Sequence, residues 1–241
     1  MSSPIGTKLR AFGQVPSSDV DDLEVLFDQF RSFRPASRLV SEGDRPDFVL
    51  AIGEGWAARC KFMRDGGRQI TDILLPGDIL TLSAGTKSPL DFGIYSLSEM
   101  KCAFVPYEAY RAFLHGRPEI ENAVQRSALA DEGLMRAAVI RLGRQDAFQR
   151  VGHFFCETWC RAANVDLIVA GSLPLPLTQS DVGDIVGLTA VHVNRTLRVL
   201  REQGLLEWQG RELRIPDLQR LAGQVGYRAS MPCEPMEKVA A

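Results

Sequence analysis

From about residue 34 to residue 106 the chain alternates between short apolar runs and turn sequences, and this pattern restricts the fold more than any other feature. The turn sequences are SEGDRPD, GEG, RDGGR, LPGD and SAGTKSP. Between them lie FVLAIG, WAARCKFM, QITDILL, FGIYSL and CAFVPY, each the length of one strand. A segment interrupted this often has no room for long helices, so it predicts a sandwich or roll of antiparallel strands. Gly66-Gly67, between two of the runs, predicts a hairpin.

Helical texture flanks this region. Residues 1–16 are small and polar, with Pro4, Gly6, Gly13 and Pro16, and read as a loose N-terminus. Ser18 is a candidate cap for DVDDLEVLFDQF, which is acidic in its first turn and apolar at Val20, Leu23, Leu26, Phe27 and Phe30. Tyr107 to Leu114 predicts a short helix, and Pro118 suits the first turn of a longer one running to about Leu142. Along the longer helix, Ile120, Val124, Ala128, Leu134, Met135, Ala138 and Leu142 form a broken apolar stripe, interrupted by Asp131. Such a stripe either packs on its own domain or pairs with a second copy. DAFQRVGHFFCETWCRAA, residues 146–163, predicts another amphipathic helix, with Val151, Phe154, Phe155, Thr158 and Trp159 on one side. A loop and small strand, DLIVAGSLPLPL, follow. The tail from Arg228 reads as disordered.

The length of 241 residues allows one large domain or two small ones, and 45% apolar content is enough for real cores. The net charge of −2 gives no global sign of a nucleic-acid binder, so that function needs a local basic surface. Five cysteines at scattered spacings fit a reducing compartment and not a disulfide scaffold. MSSPIGTKLRAFG lacks an apolar signal core, and no apolar run is long enough to span a bilayer, so the expected location is cytoplasmic, with no membrane partner.

Residues 177–206, LTQSDVGDIVGLTAVHVNRTLRVLREQGLL, carry the local signal. Thr178, with Asp181 three residues on, is an acidic variant of the capping box. The short helix behind it carries Val182, Ile185 and Val186, and Gly187 ends it by permitting a left-handed backbone. Thr189 caps the next helix. Two short helices joined by a tight glycine turn make a helix-turn-helix. On the second helix Val193, Leu197 and Leu200 define the buried face. Opposite lie Val191, Arg195, Arg198 and Glu202, with His192 and Asn194 on the flanks. Arg195 lies where a recognition helix meets base edges, and its fork suits guanine O6 and N7. GLLEWQGRELRIPD then predicts a small hairpin, or wing, around Gln209-Gly210, with Arg211 and Arg214 available to phosphates. From 188 to 214 five arginines stand against three glutamates, a modest local excess.

Roll, long helix and winged helix-turn-helix, in that order, resemble the Crp/Fnr family of bacterial transcription regulators. The resemblance covers about residues 19–226. It rests on EGD (42–44), EGW (54–56), DGGRQI (65–70), LPGD (75–78), LGRQDAFQRVGHF (142–154) and LPLTQSDVGDIVGLTAVHVNRTLRVLREQGL (175–205). It implies an α+β chain: a flexible N-terminus (1–16), a jelly-roll-like sensor domain (17–116), a dimerisation helix (117–143), a winged helix-turn-helix domain (144–227) and a flexible tail (228–241). It further implies a homodimer on a near-palindromic double-stranded DNA site, RNA polymerase as a partner, activation rather than repression, and reading through the helix over 190–203. The residues expected at DNA are Thr178, Gln179, Thr189, Val191, His192, Asn194, Arg195, Arg198 and Arg211. Many family members have a glutamate where this chain has Val191. Valine cannot accept from cytosine N4 but can touch a thymine methyl, so the half-site need not match the familiar one.

The signal is less legible. Any effector is expected in the roll near Gly77 and Asp78. Cyclic AMP binding in the family uses a glycine–glutamate pair and a phosphate-binding arginine, whereas ILTLSAGTKSPLDFGIYSL has neither and offers only Lys87. The iron–sulfur relatives use an N-terminal cysteine trio, and here no cysteine precedes Cys60. Cys102 resembles the fourth ligand but reads better as a buried strand residue. Cys156 and Cys160, i and i+4 on a helix, are poorly placed to bond to each other. No cofactor or metal is expected. An unidentified small-molecule effector, a redox cue through one thiol, or control by abundance alone remain open. A cupin-like metal enzyme is disfavoured, because His115, His153 and His192 all fall outside the strand-rich stretch 34–106 and no Ser-His-Asp set, P-loop or dinucleotide fingerprint occurs. The alternative to a DNA reader is a ligand-binding adaptor whose helix-turn-helix contacts protein.

Overall fold

The computed structural model describes residues 3–229 and residue 233. The chain divides into two compact units, Met1–Leu129 and Ala130–Ala241.

The first unit opens with two helices, α1 (Pro4–Ala11) and α2 (Ser17–Leu26). Eight strands follow: β1 (Phe30–Phe33), β2 (Arg38–Val40), β3 (Phe48–Glu54), β4 (Ala57–Phe62), β5 (Arg68–Leu74), β6 (Ile79–Leu80), β7 (Gly93–Ser96) and β8 (Met100–Pro106). They form two four-stranded antiparallel sheets, ordered β1-β8-β3-β6 and β2-β7-β4-β5. Residues of both sheets share one core, which includes Val40, Leu50, Ile52, Leu74, Leu80, Ile94, Met100 and Cys102. The hairpin at Gly66 forms as its sequence predicts: φ is +85° there, a conformation open to glycine, and Met63 and Gly67 close the turn. The five expected strands are present, and β1, β2 and β6 add short pieces that no apolar run announced.

Two expectations at the N-terminus are corrected. Residues 4–11 are a helix and not a loose segment. Ser3 caps it, accepting from the Gly6 amide, and Ile5, Lys8 and Leu9 are buried. Ser18 does not cap α2. The helix starts at Ser17, two residues before the start that a Ser18 cap implies, with Pro16 at the cap position and no side-chain cap bond. Phe30, expected on the helix stripe, lies in β1.

After α3 (Tyr107–Leu114) comes α4 (Pro118–Arg144), a single helix of 27 residues. Its apolar residues divide between two faces. Ile120, Ala123, Ala130 and Leu134 are buried, while Leu129, Met135, Val139 and Ile140 are 51–71% exposed.

The second unit is built around α5 (Ala147–Ala163), whose capping box pairs Asp146 with Gln149. The sequence suggested an amphipathic helix, but every residue from Val151 to Ala162 is buried, including His153, Glu157 and Arg161. Around it lie β9 (Leu173–Pro174), α6 (Gln179–Val186), α7 (Ala190–Glu202), β10 (Glu207–Gln209), β11 (Glu212–Arg214) and α8 (Leu218–Val225). The α6, α7 and α8 helices all pack on α5, and β10-β11-β9 form a three-stranded antiparallel sheet. The expected flexible tail, 228–241, falls outside the described residues at 230–232 and 234–241. Its described member Cys233 is buried and disulfide-bonded to Cys160, which corrects the expectation of thiols without a disulfide. Among the described residues no helix is long and apolar enough to cross a membrane.

Candidate nucleic-acid interface

The α6–α7 pair is held by contacts local in sequence. The Thr178 hydroxyl accepts from the Asp181 amide at 3.1 Å, and Asp181 Oδ2 accepts in return from the Thr178 amide at 2.8 Å. Gly187 ends α6 at φ +66°, in the left-handed region where a side chain is strained. Thr189 caps α7, its hydroxyl accepting from the His192 amide at 3.2 Å. Gly183 is a positioning residue the sequence reading missed. A Cβ there would lie 2.4 Å from the Leu188 carbonyl oxygen, so only glycine lets α6 approach the turn this closely. Its spacing to Gly187 was visible, but the close approach is a property of the folded turn.

Val193, Leu197 and Leu200 are buried to 3% exposure or less, and they seat α7 on its domain. The opposite face is open. Val191 is 71% exposed, and His192, Asn194, Arg195 and Arg198 are all exposed. Val191, Arg195 and Arg198, at i, i+4 and i+7, share one stripe. Their engagements differ. The Arg198 Nε pairs with Glu202 at 3.2 Å, and the Asn194 amide donates to Gln179 Oε1 at 3.1 Å. The Arg195 guanidinium has no hydrogen bond or ion pair among the described residues. Thr178 and Thr189 serve as caps, so their hydroxyls are already engaged within the protein. In the wing, Gly210 turns the hairpin at φ +61° and Arg211 is exposed, while Arg214 pairs with Glu212 at 3.6 Å. The wing also carries exposed Glu207 and Glu212, so its basic character rests mainly on Arg211.

Behind α6 the end of α4 is braced by polar contacts that the sequence did not announce. Arg150 donates to the Gln145 carbonyl at 2.8 Å and to the Val186 carbonyl at 3.4 Å. Arg141, 3% exposed, pairs with the buried Glu157 at 3.2 Å. His153 Nδ1 shares a hydrogen bond with the Gln145 amide nitrogen at 3.0 Å and meets the edge of Tyr227. Burial, aided by the Arg141 charge, pushes the His153 pKa down from 6.5 to about 4.

The expected effector region of the roll is occupied by the chain itself. The Asp78 carboxylate pairs with Lys8 of α1 and accepts from the Leu75 amide at 2.9 Å. Gly77, at φ +94°, has the Pro4 carbonyl so close that a Cβ would lie 2.6 Å from it. The 79–96 segment contains no arginine and no glutamate, and the carbonyl of Lys87 accepts from Arg45. These residues do not fit a cyclic nucleotide phosphate and ribose. Cys102 is fully buried, and burial pushes its thiol up to about 12 despite nearby Arg31. Among the described residues no three His, Cys, Asp or Glu side chains are grouped as metal ligands.

Comparison with known proteins agrees with this division. The cyclic nucleotide-binding domain family matches residues 30–117, and the Crp-like helix-turn-helix domain matches residues 149–223. The chain is 27% identical over 198 residues to the transcriptional activatory protein AadR of Rhodopseudomonas palustris, covering 82% of this chain and 81% of that protein. It is 28% identical over 174 residues to the nitrogen fixation regulation protein FixK of Azorhizobium caulinodans, covering 72% and 69% of the two chains. Among solved structures, FixK2 from Bradyrhizobium japonicum superposes with a TM-score of 0.70 at 26% identity, over 81% of this chain and 96% of that one. A roll of the cyclic nucleotide-binding type, followed by a long helix and a Crp-like winged helix-turn-helix, makes this chain a member of the Crp/Fnr family of transcription regulators.

Proposed function

We propose that the protein is a dimeric transcription activator that reads a near-palindromic promoter site through α7. The observation that carries this reading is the unengaged, exposed Arg195 at the centre of a rigidly capped recognition helix. A free guanidinium in that position can present two parallel donors to guanine O6 and N7. Val191 supplies an apolar contact to a thymine methyl, and His192, Arg198 and Arg211 add base or phosphate contacts. Asn194, held by Gln179, presents its remaining amide hydrogen and carbonyl to the duplex. Thr178 and Thr189 fix the two helix starts at the phosphates. Salt sensitivity follows from these charges.

The dimer reading is supported by Leu129, Met135, Val139 and Ile140, four large apolar side chains exposed along α4. Apolar residues that recur along a helix and face water favour a helix–helix seam with a second copy. Two-fold pairing accounts for a palindromic site with half-sites about one DNA turn apart. Activation, and with it contact to RNA polymerase, is taken from AadR, whose name describes a transcriptional activator. The effector is unassigned, and neither cyclic AMP nor an iron–sulfur cluster is expected.

The test is selection of genomic DNA fragments by the purified protein without added effector, at near-physiological salt. Enrichment of a two-fold-symmetric motif, lost in Arg195→Ala, is the expected result. A folded dimer that enriches nothing, or an Arg195→Ala protein with unchanged selectivity, would overturn the assignment of α7 as the reading helix.

A further inference from the structure

Cys160 and Cys233 lie 73 residues apart in sequence, with Cα atoms 5.2 Å apart and side chains joined. Cys160 belongs to α5, the buried centre of the unit that carries α7. Cys233 comes from the C-terminal segment beyond α8. The two ends of that segment are both anchored on α5. At one end Leu221 and Val225 of α8 press on Gly152, where a Cβ would lie 2.5 Å from Val225 Cγ1, and Tyr227 meets His153 edge-on. At the other, Cys233 reaches Cys160, about two helical turns further along α5.

We propose that this pair is a reversible redox clip, closed by a hydroperoxide and opened by thiols, that sets the stability of the DNA-binding unit. This rests on the reading of that unit as the DNA reader, and it adds a chemical control to it. The pairing is selective. Cys60, Cys102 and Cys156 are all buried and in no disulfide. Cys156, one turn before Cys160 and as fully buried, is the nearest rival, and it is not joined to Cys233. A single disulfide in a chain whose other cysteines form none has the pattern of a sensing bond more than of a scaffold.

The chemistry balances with one peroxide. In the reduced protein the Cys233 thiolate attacks one peroxide oxygen. The O–O bond breaks, Cys233 becomes a sulfenic acid, and the departing oxygen leaves protonated. The Cys160 thiolate then attacks the Cys233 sulfur, the S–S bond forms, and hydroxide departs and is protonated to water. Two electrons pass from the two thiols to the peroxide. The closed loop of about 70 residues contains α6, α7, the wing and α8. Cross-linking it removes conformational freedom from opened states of the whole unit.

The experiment uses the full-length protein treated with hydrogen peroxide or with dithiothreitol. Peptide mapping is expected to find Cys160 linked to Cys233 only after peroxide. Hydrogen exchange of α5 and α8 peptides should then be at least about tenfold slower in the oxidised form. Cys233→Ser should exchange like the reduced protein under both treatments, and it retains Cys160 in case Cys160→Ser fails to fold. A different linkage or none, equal exchange in the two states, or an oxidant effect that survives in Cys233→Ser would overturn the proposal. These readouts need no DNA, so they stand apart from the assignment of α7. Site binding, measured in parallel at rising temperature, is expected to persist higher in the oxidised form.

Discussion

Asn194 donates its side-chain amide to Gln179 Oε1 at 3.1 Å, and so the exposed face of α7 is tied to the first turn of α6. The two residues are 15 apart in sequence, and both are expected at DNA. Joined, they act as one unit. In a double-mutant cycle on DNA affinity, Gln179→Ala and Asn194→Ala should each weaken binding about three- to tenfold, on the scale of one hydrogen bond. The double variant should lose no more than the larger single loss. Additive losses would show that the pair does not act together.

Arg195 has a different signature, because its guanidinium makes no hydrogen bond or ion pair among the described residues. Arg195→Ala should weaken specific binding about 5- to 150-fold, the range of one bidentate base contact, and leave the thermal midpoint unchanged. Arg195→Lys should recover general DNA affinity but not selectivity, since an ammonium cannot present two parallel donors. Competition binding against scrambled DNA separates the two effects.

Gly183→Ala should destabilise the second unit by about 2–3 kcal/mol. The added methyl meets a backbone carbonyl that cannot move without opening the turn. Gly187→Ala should cost about 1 kcal/mol, the ordinary penalty for a non-glycine residue in the left-handed region. Denaturant titrations of the two variants give the order directly, and Gly187→Ala emerging as the worse variant would contradict the close-approach account.

His153 makes the second unit acid-sensitive. Its pKa is lowered by folding, from 6.5 to about 4, so the unfolded chain takes up a proton that the folded chain refuses. Stability is therefore lost as the pH falls from about 6.5 towards 4, and it is fully present above that window. His153→Gln should flatten the denaturation midpoint across this range, read as a pH series of chemical unfolding.

Lys8 and Asp78 are both buried, so removal of Lys8 takes from the Asp78 carboxylate the buried cation that it pairs with. Lys8→Met should destabilise the first unit by about 3–5 kcal/mol, and Lys8→Met with Asp78→Leu should recover much of it. Calorimetry on the full-length variants measures both.

How far the sequence carried depends on whether the relevant physics is local. Caps and turns are encoded within three or four residues. Thr178 with Asp181, Gly187 and Thr189 therefore all function as their spacing suggests, and the buried triad Val193, Leu197 and Leu200 follows from helical periodicity. Five of the eight roll strands were readable because each lies between turn signals, whereas β1, β2 and β6 are too short to stand out as apolar runs. What was missed is long-range. The α1 helix looks like loose chain because its stability comes from packing Ile5, Lys8 and Leu9 under other elements, not from its own propensity. Burial all round α5 was hidden because Glu157 and Arg161 read as a solvent face unless Arg141 is known to be near. Cys233 has no local context that points to Cys160. Gly183 reads as an ordinary, mildly unfavourable helix residue until the Leu188 carbonyl is in view.

The pairing of α1 with the Gly77–Asp78 turn has a consequence for any molecule that would signal through the roll there. Such a molecule competes with a helix on the same chain, which is present at the high effective concentration of a short tether. Its observed affinity is its intrinsic affinity reduced by the fraction of time α1 is displaced. A shortened or tagged N-terminus would then alter apparent ligand affinity without touching the residues that bind the ligand.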